Sequence, residues 1–103
     1  MNEKLYKVII TSRASDMLVS HSRFISNVSE KAAMQFVEEF NYKVSTLEKS
    51  PERYPFIIDP LIPEGKYRKL EFLKRYLLIY QIKGESVYVD AILDCRQDYN
   101  WLL

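Results

Sequence analysis

The chain has 103 residues, the size of one domain, and 48% of them are hydrophobic, enough to build a core. Fifteen Lys and Arg against fourteen Asp and Glu give a formal net charge of +1, so overall charge points to neither nucleic-acid nor membrane-surface binding. A single cysteine, Cys95, excludes an intramolecular disulfide and fits a reducing compartment.

No apolar run approaches the roughly 18 residues that a membrane span needs. The stretch MNEKLYKVII lacks a signal-peptide pattern. Both observations lead to the expectation of a cytoplasmic protein made of a single domain over residues 1–103.

Leu5 to Thr11 is rich in β-branched residues and predicts a strand. Residues 13–28 then switch to helical period. Ala14, Met17, Leu18, His21, Phe24, Ile25 and Val28 recur at steps of three and four and predict one apolar face. Ser12 is the expected cap, with Asp16 suited to the positive end of the dipole. Asn27-Val28-Ser29 breaks the pattern. Ser29 and Glu30 open a second helix with the stripe Ala33, Phe36, Val37, Phe40, Val44 and Leu47, expected to reach about Lys49 before Ser50-Pro51 stops it. So short a break predicts an antiparallel helical hairpin.

All four prolines (Pro51, Pro55, Pro60, Pro63) fall between residues 50 and 65. This long connection reads as a stiffened crossing over the sheet edge, although its length also suits partner contact. After Gly65 the period becomes two. Arg68, Leu70 and Phe72 alternate with Tyr67, Lys69 and Glu71, and Lys74-Arg75 is the expected tight turn. Tyr76 to Ile82 is nearly all apolar, as in a central strand buried on both faces. Lys83-Gly84-Glu85 predicts a hairpin turn, and Val87 to Leu93 the last strand. The order β-α-α-β-β-β defines an α+β fold with the helices packed on one face of a small sheet.

Between Lys66 and Arg96 there are seven Lys/Arg and four Asp/Glu, so the sheet half is mildly basic. Arg68, Lys69, Lys74 and Arg75 lie on the strands, and Arg96, Asp98, Tyr99 and Trp101 follow the last one. Such groups on a rigid scaffold suit an anionic or protein partner. His21, the only histidine, lies on an apolar helix face and reads as a packed or hydrogen-bonded residue. Cys95, with no histidine near it in sequence, reads as a small half-buried residue. There is no glycine-rich phosphate loop and no metal-ligand spacing, so no cofactor is expected.

At this point the sequence resembles the RelE/ParE superfamily of toxins from type II toxin–antitoxin modules. The resemblance runs through the strand and helical hairpin of residues 5–49 and the Leu47-x-x-Ser50-Pro51 turn. It continues in the YRKL…RYLLIYQI strand pair and the closing strand ending ILDCRQDY. It implies a growth-inhibiting protein neutralised by a cognate antitoxin that wraps an extended or helical segment over it. RelE-like and YoeB-like members are ribosome-dependent endoribonucleases, whereas ParE-like members inhibit DNA gyrase, and the fold alone does not choose.

A metal-free ribonuclease needs a base, Arg or Lys clamps on the phosphate, and an acid. The resemblance would give Arg96 the phosphate and Tyr99 a base to stack on or a proton to transfer, with Arg75 and Arg68 assisting. The set departs from the pattern. Asp98 stands where the YoeB-like tail has His, Leu77 where the middle strand has Arg, and Leu70 where the second basic position of the preceding strand falls. The ParE-like reading asks only for an exposed surface, such as Arg68, Lys69, Lys74, Arg75, Arg96, Asp98, Tyr99 and Trp101 would make against gyrase or antitoxin, and is preferred. The alternatives are a metal-independent mRNA endoribonuclease acting on the ribosome and an inactive relic that only binds antitoxin.

Overall fold

The computed structural model describes residues 4–95. Strand β1 (Lys7–Ile10) leads into the helices α1 (Ser12–Ser26) and α2 (Glu30–Leu47). A short 3-10 turn at Pro51–Arg53 opens the long connection, and the strands β2 (Arg68–Phe72), β3 (Tyr76–Lys83) and β4 (Ser86–Asp94) follow. The expected β-α-α-β-β-β order is therefore the observed one.

The four strands form one sheet in the order β1-β4-β3-β2. The β2–β3 and β3–β4 pairs are antiparallel, and β1 runs parallel to β4. The parallel pair follows from the crossover: the helical hairpin returns the chain to the far side of the sheet, so β4 comes to lie beside β1.

Both helices start at side-chain caps. Thr11, one residue before the expected Ser12, accepts from the Ala14 amide at 3.2 Å. Ser29 accepts from the Ala32 amide at 3.1 Å, as expected. Helix α1 ends at Ser26, two residues short of its apolar pattern, and α2 ends at Leu47, two residues short of the expected Lys49. Phe24 and Val28 are 67% and 87% exposed rather than packed. Val28 lies in the hairpin turn, and Phe24 is on α1 but off the face whose next residue, Ile25, packs against the core.

The main core lies between the helices and one face of the sheet. Ala14, Phe36, Phe40 and Leu47 meet Leu70, Phe72, Tyr76, Leu78, Tyr80, Val87, Val89 and Ile92. Phe36 and Tyr76 meet edge to face at 4.7 Å between ring centroids, the offset that aromatic quadrupoles favour. The opposite face has its own smaller core. Ile57 and Ile62 from the proline-rich connection close over Ile79, Ala91 and Leu93. The central strand β3 is thus buried on both faces, and the connection is a cover.

That cover is pinned at its start. The Ile57 amide donates to the Tyr67 carbonyl and the Lys69 amide to the Pro55 carbonyl, so Phe56 bridges to Arg68 as a rudimentary extra strand beside β2. The buried Tyr80 hydroxyl donates to the Pro51 carbonyl at 2.5 Å. Burial holds this phenol protonated well above its usual range, against a smaller opposing pull from the Arg68 charge.

Candidate functional site

The sequence gathers Arg68, Lys69, Lys74 and Arg75 into one basic stretch, but the β2–β3 hairpin deals them to different places. Arg68 pairs across the ladder with Tyr80 and Lys69 with Ile79. Successive residues of a strand point to opposite faces, so Arg68 lies in the helix-facing row and Lys69 in the row on the other side. Lys74 and Arg75 belong to the turn itself.

Arg68 is engaged by the fold. Its Nη1 donates to the Glu52 carbonyl at 3.1 Å and to the Tyr54 carbonyl at 2.6 Å. Its guanidinium lies 3.9 Å from the centroid of the Phe56 ring. A planar cation does three things here: it satisfies two carbonyls of the connection, stacks on an aromatic face and ties the cover to β2.

Arg75 is engaged as well. Its Nε donates to Asp94 Oδ2 at 3.0 Å, and the carboxylate is largely buried. The Arg75 carbonyl accepts from the Cys95 amide at 2.7 Å, so the hairpin turn and the end of β4 are locked by a backbone and a side-chain bond together. Arg75, which the resemblance would have assisting at a phosphate, pairs with Asp94 at the sheet corner, while Leu77 packs against the smaller core.

The turn between β2 and β3 is strained. Leu73 and Lys74 have φ of 53° and 56°, and the Arg75 amide donates to the Phe72 carbonyl across them. Two consecutive left-handed residues are the geometry that Asn-Gly adopts without cost. The Leu73 side chain stands at the tip, 47% exposed, beside a shallow groove lined by Gln35, Glu38, Glu39 and Tyr42.

Cys95 is exposed at the end of β4. Partial desolvation, then the Glu71 and Asp94 carboxylates, push its thiol up, with Lys69 acting the other way. Such a thiol stays protonated and is a poor nucleophile. His21 packs edge-on against Tyr76 and Phe36, and its Nε2 meets the Ile92 carbonyl at 2.8 Å. It holds α1 to β4, in keeping with its reading as a packed residue.

Two carboxylates escaped the sequence reading. Asp94 neutralises Arg75. Asp90 accepts from Gln81 Nε2 at 2.7 Å and sits at a bulge, where the register shifts between Ile79 and Tyr80. A bulge is not written in the local pattern of apolar residues, so neither partner could be assigned by counting along the strands. Arg96, Asp98, Tyr99 and Trp101 lie outside the described residues. Among the described residues no group of three His, Cys, Asp or Glu side chains is placed to hold a metal ion, and no helix is long and apolar enough to cross a membrane.

A helical hairpin on one face of a four-stranded sheet, with β1 beside β4, agrees with the fold of the RelE/ParE superfamily. Residues 8–99 match the model of the ParE toxin of the type II toxin–antitoxin system parDE, so the chain belongs to that family. Among solved structures it is similar to a chain of the chromosomal ParDE TA system from P. aeruginosa, at 13% identity and a TM-score of 0.71, covering 88% of this chain and 97% of that one. That likeness concerns the fold. No curated protein matches the sequence. The chain is thus a ParE-like toxin of a type II toxin–antitoxin system, and the family implies a cognate antitoxin as its partner.

Proposed function

We propose that this toxin arrests growth in the cytoplasm by binding and inhibiting DNA gyrase, and that it does not cleave mRNA on the ribosome. The observation that carries the reading is the occupation of its strand arginines. Arg68 is bound to two backbone carbonyls and Arg75 to Asp94, and the two positions that would hold further cations carry Leu70 and Leu77, on opposite faces of the sheet. Electrostatic catalysis of phosphodiester cleavage needs preorganised cations converging on one phosphate, and Arg68 and Lys69 point to opposite faces. An inhibitor that works by binding needs no such convergence. Lys69, Lys74, Arg96, Asp98, Tyr99 and Trp101, with the rims of Arg68 and Arg75, would then form the contact surface for gyrase or for the antitoxin.

The test is a supercoiling assay with purified gyrase and relaxed plasmid. Stoichiometric toxin should block supercoiling, and adding the antitoxin encoded beside it should restore the reaction. Unimpaired supercoiling at a large molar excess of folded toxin would refute gyrase as the target.

A further inference from the structure

The proline-rich connection covers the smaller core with one side and shows its other side to solvent. Ile57 and Ile62 are buried, whereas Ile58 and Leu61 between them are 96% and 58% exposed. Ile58 is more exposed than any other large apolar side chain among the described residues. One exposed apolar residue is ordinary on a protein surface. This pair differs because the backbone that carries it is fixed. The Ile57 amide donates to the Tyr67 carbonyl, and the Ile62 amide donates to the Asp59 carbonyl at 3.1 Å. Asp59 Oδ1 accepts from the Leu61 amide at 2.8 Å, so Asp59-Pro60-Leu61-Ile62 is a closed turn with proline at its second position. Buried residues on either side hold Ile58 and Leu61 out as a rigid knuckle. With Pro60, Pro63 and Glu64 they line an open hollow. The charge of this knuckle has one sign. From Phe56 to Gly65 there are two carboxylates, Asp59 and Glu64, and no cation. The next cation, Lys66, lies with its Nζ 5.1 Å from the centre of the Tyr67 ring. Glu64 is exposed and has no ion-pair partner among the described residues.

We infer that Ile58 and Leu61 anchor the toxin in an apolar pocket of gyrase whose rim is basic. The inference rests on the gyrase reading and adds to it the part of this chain that gyrase holds. Charge complementarity selects this occupant. An enzyme that holds DNA carries cationic surface to neutralise phosphates, and Asp59 and Glu64 flank the two apolar side chains as partners for such a rim. A few apolar anchors seated in a pocket and ringed by polar contacts supply most of the binding energy of a protein interface. A knuckle already fixed by hydrogen bonds and prolines also loses little freedom on docking.

The experiment measures the binding of purified gyrase to the toxin and to its variants, alongside inhibition of supercoiling. Ile58→Ser and Leu61→Ser should each weaken gyrase binding about tenfold or more. Both should keep the fold by circular dichroism, because neither side chain is buried, and both should keep the affinity for the antitoxin encoded beside the toxin. Glu64→Lys should weaken gyrase binding at low salt and do so less at high salt, because exposed charges are screened. Serine variants that bind gyrase as tightly as the wild type would overturn the inference while leaving the gyrase reading standing. An equal loss of antitoxin affinity would overturn it in favour of an antitoxin contact. Self-association of the wild type that both serine variants abolish, with gyrase binding intact, would overturn it in favour of a second copy of this chain. Failure of the wild-type toxin to bind gyrase at all would overturn the reading beneath it.

Discussion

Tyr80 shows how one side chain sets both stability and its dependence on pH. Its hydroxyl satisfies the Pro51 carbonyl inside the core, so Tyr80→Phe strands a buried acceptor. Equilibrium urea unfolding should show a loss of about 1–3 kcal/mol. Because burial raises its pKa in the folded state, the native protein holds this proton after the unfolded chain has begun to lose it. The contribution is therefore fully present below about pH 10, the ordinary tyrosine value, and declines as pH rises through the folded value. The slope of stability against pH above 10 should be shallower in Tyr80→Phe, and an identical slope would remove Tyr80 from the account. Arg68 makes a parallel point about function. Removing its two carbonyl bonds and its stacking on Phe56 should cost about 2 kcal/mol in Arg68→Ala, read from thermal melts. Loss of toxicity on changing Arg68 therefore has to be compared with that loss of stability before a contact with the target is assigned to it.

Among the elements, the caps and the β2–β3 turn carry the clearest expectations. The Ser29 hydroxyl accepts from the Ala32 amide in the first turn of α2, and Ser29→Ala should destabilise the protein by about 1 kcal/mol in urea titration. The turn has the opposite sign. Leu73 and Lys74 occupy left-handed backbone that costs non-glycine residues about 1–2 kcal/mol each. Replacing them with Asn-Gly should raise the unfolding midpoint, less the entropy that glycine adds to the unfolded chain. An unchanged or lowered midpoint would contradict the strain.

Across the whole molecule, the fold was legible because its signals are local and repeated. The period of the α2 stripe and the break at Asn27-Val28-Ser29 specify the hairpin. The all-apolar run of β3 marks a strand covered on both faces. Less legible was anything that depends on register. Counting back from the Lys83-Gly84-Glu85 turn in a regular ladder would place Leu93 opposite Tyr76. The bulge at Asp90 adds one residue and puts Asp94 there instead, beside Arg75. That single shift brings Asp94 within reach of Arg75, an ion pair that a regular ladder does not predict. The hydrogen bonds of Arg68 were not legible for a related reason: its two acceptors lie 14 and 16 residues away in the connection, a pairing no periodicity encodes. The tail residues Arg96, Asp98, Tyr99 and Trp101 lie outside the described residues.

The most direct measurement maps transcript 5′ ends in bacteria shortly after induction of the toxin. The account expects growth arrest that co-expressed antitoxin relieves, with no new 5′ ends inside translated reading frames. New ends within those frames, abolished by charge reversal at Arg96, would establish a ribosome-dependent ribonuclease and contradict it.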